Sequence, residues 1–209
     1  MNKYILLFFL PLLSSCIGQY ESDAQSANIR EHVYIPKKSS GDTFRISKSG
    51  SKIFWKGTKM RGAGKHEGKI HLKEGFVVVH GGNLVSGKFI TAMHTIEITD
   101  IPKTDPIPIK NLTDHLKSDE FFDVKNYPTS QFEITGIEKL TSDSFKISGN
   151  LTLKGITKNI EFSAFHQDKI FITKFTIDRS QWNIAYEGNW ADKTFVDKDI
   201  ELTITIVIE

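Results

Sequence analysis

Ile200-Glu201-Leu202-Thr203-Ile204-Thr205-Ile206-Val207-Ile208 is the stretch that decides the fold. Every even position carries Ile or Leu, and the odd positions read Glu, Thr, Thr, Val. Successive side chains of a strand point to opposite faces, so a period of two sustained over this length specifies a strand with one apolar face. The same alternation recurs upstream. Phe145, Ile147, Leu151 and Leu153 share one parity, with Lys146, Ser148 and Thr152 on the other; Ile160, Phe162 and Ala164 continue the style. Ile70 and Leu72 alternate with Lys69, His71 and Lys73. Between residues 170 and 177 apolar side chains occupy both parities (Ile170 and Ile172 against Phe171, Phe175 and Ile177), which implies a bulge or burial on both sides.

Turn-forming residues separate these runs: Lys73-Glu74-Gly75, His80-Gly81-Gly82-Asn83, Ser148-Gly149-Asn150, Lys154-Gly155 and Gln167-Asp168-Lys169. Eight to ten short strands at this spacing favour an antiparallel barrel or sandwich over a parallel α/β sheet. One segment breaks the pattern. Leu112, Leu116, Phe121 and Phe122 fall at helical spacing, which predicts a short helix over 111–122 after a Pro-rich connection at 101–110. Residues 42–209 read as one domain.

The amino terminus reads differently. Residues 4–13 are apolar behind the single charge of Lys3, too short a run for a bilayer span of ~20 residues. Leu13-Ser14-Ser15-Cys16 resembles the lipobox of bacterial lipoproteins, which makes 1–15 a signal peptide and Cys16 an acylated mature terminus. Cys16 is the one cysteine, so no intrachain disulfide can form, and acylation accounts for a lone thiol in an exported chain. Residues 16–41, rich in Ser, Asp, Gln, Asn and Lys, read as a flexible tether holding the domain away from a membrane. The expected location is the cell envelope, lipid-anchored and facing the periplasm or the cell surface. A formal charge of +2 with interspersed signs gives no footprint for nucleic acid. The aromatic content is dominated by Phe (15, against 5 Tyr and 3 Trp), a side chain with no polar handle, suited to a core or an apolar pocket.

Four stretches carry a family resemblance. His115-Leu116-Lys117-Ser118-Asp119-Glu120-Phe121-Phe122-Asp123-Val124-Lys125-Asn126-Tyr127-Pro128 resembles the signature of the YceI-like family, often described as lipid- or polyisoprenoid-binding. Gly149-Asn150-Leu151-Thr152-Leu153-Lys154-Gly155-Ile156-Thr157-Lys158 is similar to its central hairpin, and Ile177-Asp178-Arg179-Ser180-Gln181-Trp182 to a later strand. Phe54-Trp55-Lys56-Gly57-Thr58-Lys59 with Gly64-Lys65-His66-Glu67-Gly68 looks like the variant found in Bacteroidetes-type lipoproteins. The sequence departs at Asn183, where many members carry Gly. The resemblance implies an all-β, lipocalin-like antiparallel barrel of about eight strands with one short α-helix. It further implies a long isoprenoid chain inside, such as a polyprenyl phosphate or a quinone, and extends to a homodimer as a partner state.

The inward parities then nominate Phe132, Ile134, Phe145, Ile147, Leu151, Leu153, Phe162, Phe175 and Ile177 as barrel lining. The competing reading is a structural or stress-response envelope protein whose barrel is filled by these same side chains and which acts through its surface. Catalytic and metal chemistry find little support. His66 and His71 are five apart, which on a strand places them on opposite faces. Gly62-Ala63-Gly64-Lys65 is followed by His66 rather than Ser or Thr and reads as a turn, not a phosphate loop. Asp119 and Glu120 are adjacent and diverge. Arg179, set between apolar residues, must find a carboxylate or carbonyls; an ion pair with Asp119, Glu120 or Asp123 is the expected solution. No enzyme activity, cofactor or metal is expected.

Overall fold

A computed structural model describes residues 22–34, 40–184 and 196–209. Residues 1–15, read above as a signal peptide, and Cys16 lie outside them. The elements are β1 (Gln25–Ser26), β2 (Asn28–Glu31), β3 (Asp42–Arg45), β4 (Lys52–Lys59), β5 (Gly64–Ile70), β6 (Leu72–His80) and β7 (Asn83–Ala92). After a 3-10 turn at Met93–Thr95 come β8 (Glu97–Ile98), α1 (Pro106–Lys117), β9 (Thr129–Lys139), β10 (Ser144–Leu153), β11 (Ile156–Gln167) and β12 (Ile170–Asp178). A 3-10 turn at Arg179–Trp182 precedes β13 (Val196–Val207).

One curled sheet contains every strand of the described residues; eleven follow the order β3-β6-β7-β9-β10-β11-β12-β13-β4-β5-β8, and β1 and β2 pair with β12 and β11 off this path. Its neighbours on this path are antiparallel. The path returns on itself. Only His71 separates β5 from β6, so β4 and β7 are both paired to one bent run of chain. Counting that run once, the wall is β4, β5–β6, β7, β9, β10, β11, β12 and β13, the eight-stranded lipocalin-like barrel expected. Ile46 closes the seam at the far end: it bridges Ile208, and Ser47 N–H donates to the Val207 carbonyl at 2.8 Å. Ile70 and Leu72 are both buried, one on each side of the bend.

The deciding strand behaves as read. Ile200, Leu202, Ile204 and Ile206 face the interior. On β9 the alternation needs a correction step: Gly149 pairs with Ile134 and Ser148 with Gly136, so Thr135 is extra. This bulge brings Ile134 and Ile137 inward although their parities differ. On β12 the odd residues Phe171, Phe175 and Ile177 face inward. Ile170 and Ile172 face outward and are exposed, so the doubled apolar pattern marks neither a bulge nor a second buried face.

Two expectations are corrected. The helix begins at Pro106, five residues before the predicted start, and ends at Lys117. Pro106 occupies the first turn, where its missing N–H would have had no partner anyway. Ser118 takes an extended conformation (φ −65°, ψ 166°), and Phe121 and Phe122 lie in the hydrogen-bonded turns that follow.

The second correction concerns the tether. β11 and β12 pair directly at only three positions, Phe165–Ile172, His166–Phe171 and Gln167–Ile170. Beyond them the two strands separate and the amino-terminal segment fills the gap. β1 runs parallel to β12 and β2 antiparallel to β11, with Ile29 opposite Ile160. Ala27 is buried and Ile29 packs on the core. Asn150, buried on the outer face, both donates to the Val33 carbonyl and accepts from its N–H at 2.7 and 3.1 Å. This part of the tether is therefore wall, because a barrel with an open β11–β12 seam would leave backbone donors and acceptors unpaired.

The main core cluster sits toward the α1 end and centres on Trp182 and Ile184, with Phe175, Ile177, Ile160, Leu116, Phe121 and Val124. Trp182 Nε1 donates to the Leu151 carbonyl at 3.0 Å. Two smaller clusters, around Ile46, Leu72 and Ile206 and around Ile134, Ile147 and Ala164, lie nearer the other end. Among the described residues no helix is long and apolar enough to cross a membrane.

Candidate functional site

Inward-facing residues of the barrel do not fill it. They enclose a cavity of about 300 Å³. That is some twenty times the ~15 Å³ needed to admit one water. The filled-barrel reading loses its premise here. Of the nine lining residues nominated from parity, eight stand on the cavity wall: Phe132, Ile134, Ile147, Leu151, Leu153, Phe162, Phe175 and Ile177. Phe145 does not. Its parity is right, but it lies beyond the cavity, edge-on to His166 (6.1 Å) and tilted to Phe171 (6.5 Å). His166 stacks on Phe171 at 4.2 Å, and this trio closes the end opposite α1.

The wall is mostly apolar. Phe162 and Phe175 stack at 4.3 Å with 11° between their planes, and Phe132 tilts against Phe162 at 5.6 Å. The four β13 aliphatics continue this wall, with Leu202 paired in register to Phe175 on one side and to Trp55 on the other. The parity argument passed over Ile53, Trp55 and Leu202 because β4 and β13 were not aligned with each other from sequence. It passed over Leu112 and Leu116 because helical lining follows a different period. Gly57 is a notable wall position: a Cβ there would meet nothing within 4 Å. Gly68 is the reverse, since a Cβ there would sit 1.8 Å from the Glu97 carbonyl oxygen and against the Trp55 indole. That indole carries the one buried side-chain donor without a partner among the described residues, Trp55 Nε1.

Ionisable groups of the lining gather at the α1 end: Lys59, Lys65, His66, His115, Arg179 and Asp197. Most are already engaged. His66 Nδ1 lies 2.9 Å from Asp100 Oδ2, while His71 turns outward to Glu97 at 3.2 Å. The two histidines thus serve different faces, as their spacing requires. The 60–63 loop is a turn in which Met60, Arg61 and Gly62 take positive φ. Asp197 fixes it, accepting from Arg61 N–H, Gly62 N–H and the Thr58 hydroxyl at 3.0, 2.9 and 2.6 Å. Burial pushes the His115 imidazole below its ordinary value, with Glu120 opposing, so it is held neutral beside the Phe121 ring.

Arg179 corrects another expectation. It forms no ion pair with Asp119, Glu120 or Asp123. Its guanidinium donates to three carbonyls, those of Ile184 (2.5 Å), Asp197 (3.1 Å) and Val196 (3.1 Å), and lies 5.7 Å from the Phe121 ring centre. A planar fork can satisfy several backbone acceptors at once, and here it ties the start of β13 to the chain leaving β12. Asn183 follows in the left-handed region (φ 51°), which explains why Gly is acceptable at this point. Among the described residues no group of three or more His, Cys, Asp or Glu could hold a metal ion.

Comparison with known proteins agrees with this architecture. A family model described as a YceI-like domain matches residues 44–208. Curated relatives include a UPF0312 protein of Azotobacter vinelandii, 42% identical over 50 residues, and one of Pseudomonas aeruginosa, 46% identical over 50. In both cases the match covers 24% of this chain and 26% of the relative, so it spans about a quarter of their length. Among solved structures, Burkholderia cenocepacia BcnA is similar with TM-score 0.64 and 18% identity, over 78% of this chain and 98% of that one. A polyisoprenoid binding domain from Saccharophagus degradans, described as implicated in plant cell wall breakdown, gives TM-score 0.58 and 11% identity over 79% and 97%. The Campylobacter jejuni YceI protein gives 0.51 and 22% over 68% and 84%.

Proposed function

This chain belongs to the YceI-like domain family, and on that premise we propose that it is a non-enzymatic envelope lipoprotein whose barrel holds one long apolar lipid of the isoprenoid class. Polyprenyl phosphates and quinones are the candidates. The observation that carries the reading is the hollow interior: about 300 Å³ walled mainly by Phe, Ile and Leu, with its ionisable lining at one end. Such a shape suits a tail in the barrel and a head group at the α1 end. Each buried methylene contributes ~0.8 kcal/mol, so ten contribute roughly 8 kcal/mol before ordering costs. A micromolar complex needs a net gain of about that size, so the association and ordering costs must be met by further buried methylenes or by the head group. The polyisoprenoid-binding description of the Saccharophagus degradans relative supports the ligand class.

The anchor belongs to the same proposal. Cys16 is the acylated residue, and the barrel is held on a membrane facing the periplasm or the cell surface. Protein purified from native membranes should release a single apolar species on solvent extraction, detected by mass spectrometry. Stripped protein should take up added polyprenols. Extracts that repeatedly contain no such molecule, together with no uptake of polyprenols or quinones, would overturn the assignment.

A further inference from the structure

The outer face of the β11–β12 hairpin is apolar where a barrel normally shows polar residues to water. Phe165 and Ile172 are direct cross-strand partners and therefore share a face. Ile170 is two residues on from Ile172 toward the hairpin tip. These three are 62%, 48% and 39% exposed. Leu140 (48% exposed) joins them through the neighbouring turn, its N–H bonded to the carbonyl of Ser144, which pairs with Phe165. The inward residues of the same strands, Ala164 and Phe171, line the cavity, so this patch is not an edge of the interior. Exposed apolar residues elsewhere, such as Met60 and Ile107, stand apart on a turn and on α1.

The amino-terminal chain emerges on this same flank. Ser22 bonds Glu201 on β13 and Asp23 bonds Lys174 on β12. Lys174 is two residues from Ile172 on the same outer face. Cys16 lies six residues before Ser22. A fully extended segment of that length spans at most ~20 Å. We propose that the Phe165–Ile170–Ile172 face is a membrane-docking surface: the bilayer that receives the Cys16 acyl chains also covers this patch. The inference rests on the acyl anchor proposed above. With so short a leash the barrel cannot stand off from the lipid surface, and the flank nearest the leash is the one that is apolar. An acyl chain fixes the protein to the bilayer; the patch fixes its orientation.

Acylation of Cys16 leaves no free thiol, so one added cysteine is a unique labelling site. Full-length protein is placed in vesicles of phosphatidylethanolamine and phosphatidylglycerol doped with nitroxide-bearing phosphatidylcholine. A fluorophore is attached at Gln167→Cys, on the patch face, or at Lys88→Cys on β7, three strands round the barrel. The Gln167 probe should lose most of its intensity to the nitroxide lipid and be shielded from aqueous iodide; the Lys88 probe should show the opposite. Phe165→Ser/Ile172→Ser, both at exposed positions, should abolish the difference while the protein stays on the vesicles. Equal quenching of the two probes on vesicle-bound protein, or a double variant that behaves as wild type, overturns the docking surface. A chain that lacks acyl mass on Cys16 and fails to float with the vesicles overturns the anchor itself, and the docking surface with it.

Discussion

Replacing Gly57 by Leu separates the two roles of the barrel, stability and binding. Gly57 is on β4, faces the cavity, and has open space where a Cβ would be, so a Leu can project from there into the hollow. Its backbone is ordinary strand, and an internal strand glycine is itself unfavourable by roughly 0.5–1 kcal/mol. The variant should therefore be as stable as the parent or slightly more so. Binding should suffer. The four carbons of the new side chain displace about four methylenes of the guest at ~0.8 kcal/mol each, a loss of ~3 kcal/mol. At 1.4 kcal/mol per decade this raises Kd about a hundredfold. Stripped protein titrated with a fluorescent polyprenyl probe gives Kd, and urea unfolding gives stability on the same samples. A stable Gly57→Leu protein that binds the probe as tightly as wild type would refute the reasoning, because the guest would not then lie along β4.

Gly68→Ala is the counterpart: a Cβ at 1.8 Å from the Glu97 carbonyl must displace β8, and urea denaturation should show a loss of at least ~2 kcal/mol. Arg179→Met orphans three carbonyls at ~1–3 kcal/mol each and should lower the thermal midpoint sharply, with Arg179→Lys recovering part of the loss. Glu201 gives a pH signature. Burial raises its pKa, but the Ser22 hydroxyl and the Lys56 ammonium outweigh burial and hold the carboxyl below the usual 4.5. Its contribution to stability is complete above the unfolded value and lost as pH falls through the lower folded value. Protection factors of the β1–β2 amides, which correct for the pH dependence of intrinsic exchange, should therefore fall on acidification below about pH 4.5. That fall should shrink in Glu201→Gln.

Much of this fold was legible because strand parity is a local property. The 200–208 run, the 145–153 run and the inward residues of β12 could be assigned to a face without knowing their partners. What the sequence hid was non-local or depended on position along the barrel axis. β2 has one clear apolar residue, Ile29, and its partner Ile160 lies 131 positions away, so the segment looks like a tether until the gap between β11 and β12 is seen. Phe145 has the inward parity of Ile147 yet lies past the end of the cavity, a distinction that parity does not encode. Ile170 and Ile172 signalled burial because apolar residues are usually buried, and nothing local distinguishes a second core face from an exposed patch. Arg179 was correctly expected to need buried acceptors; the choice of carbonyls over a carboxylate depends on where the chain after Trp182 and the start of β13 come to rest. The hollow itself was beyond reach, since lining and filling use the same residues.

The most direct measurement is a crystal structure of protein taken from native membranes and purified without detergent exchange or solvent treatment. The account predicts continuous tubular density running along the stacked Phe162–Phe175 pair and the adjoining Leu202 and Ile204, ending in a wider feature near Lys59 and His115. A barrel containing only ordered water, or one whose own side chains have closed the space, would contradict it.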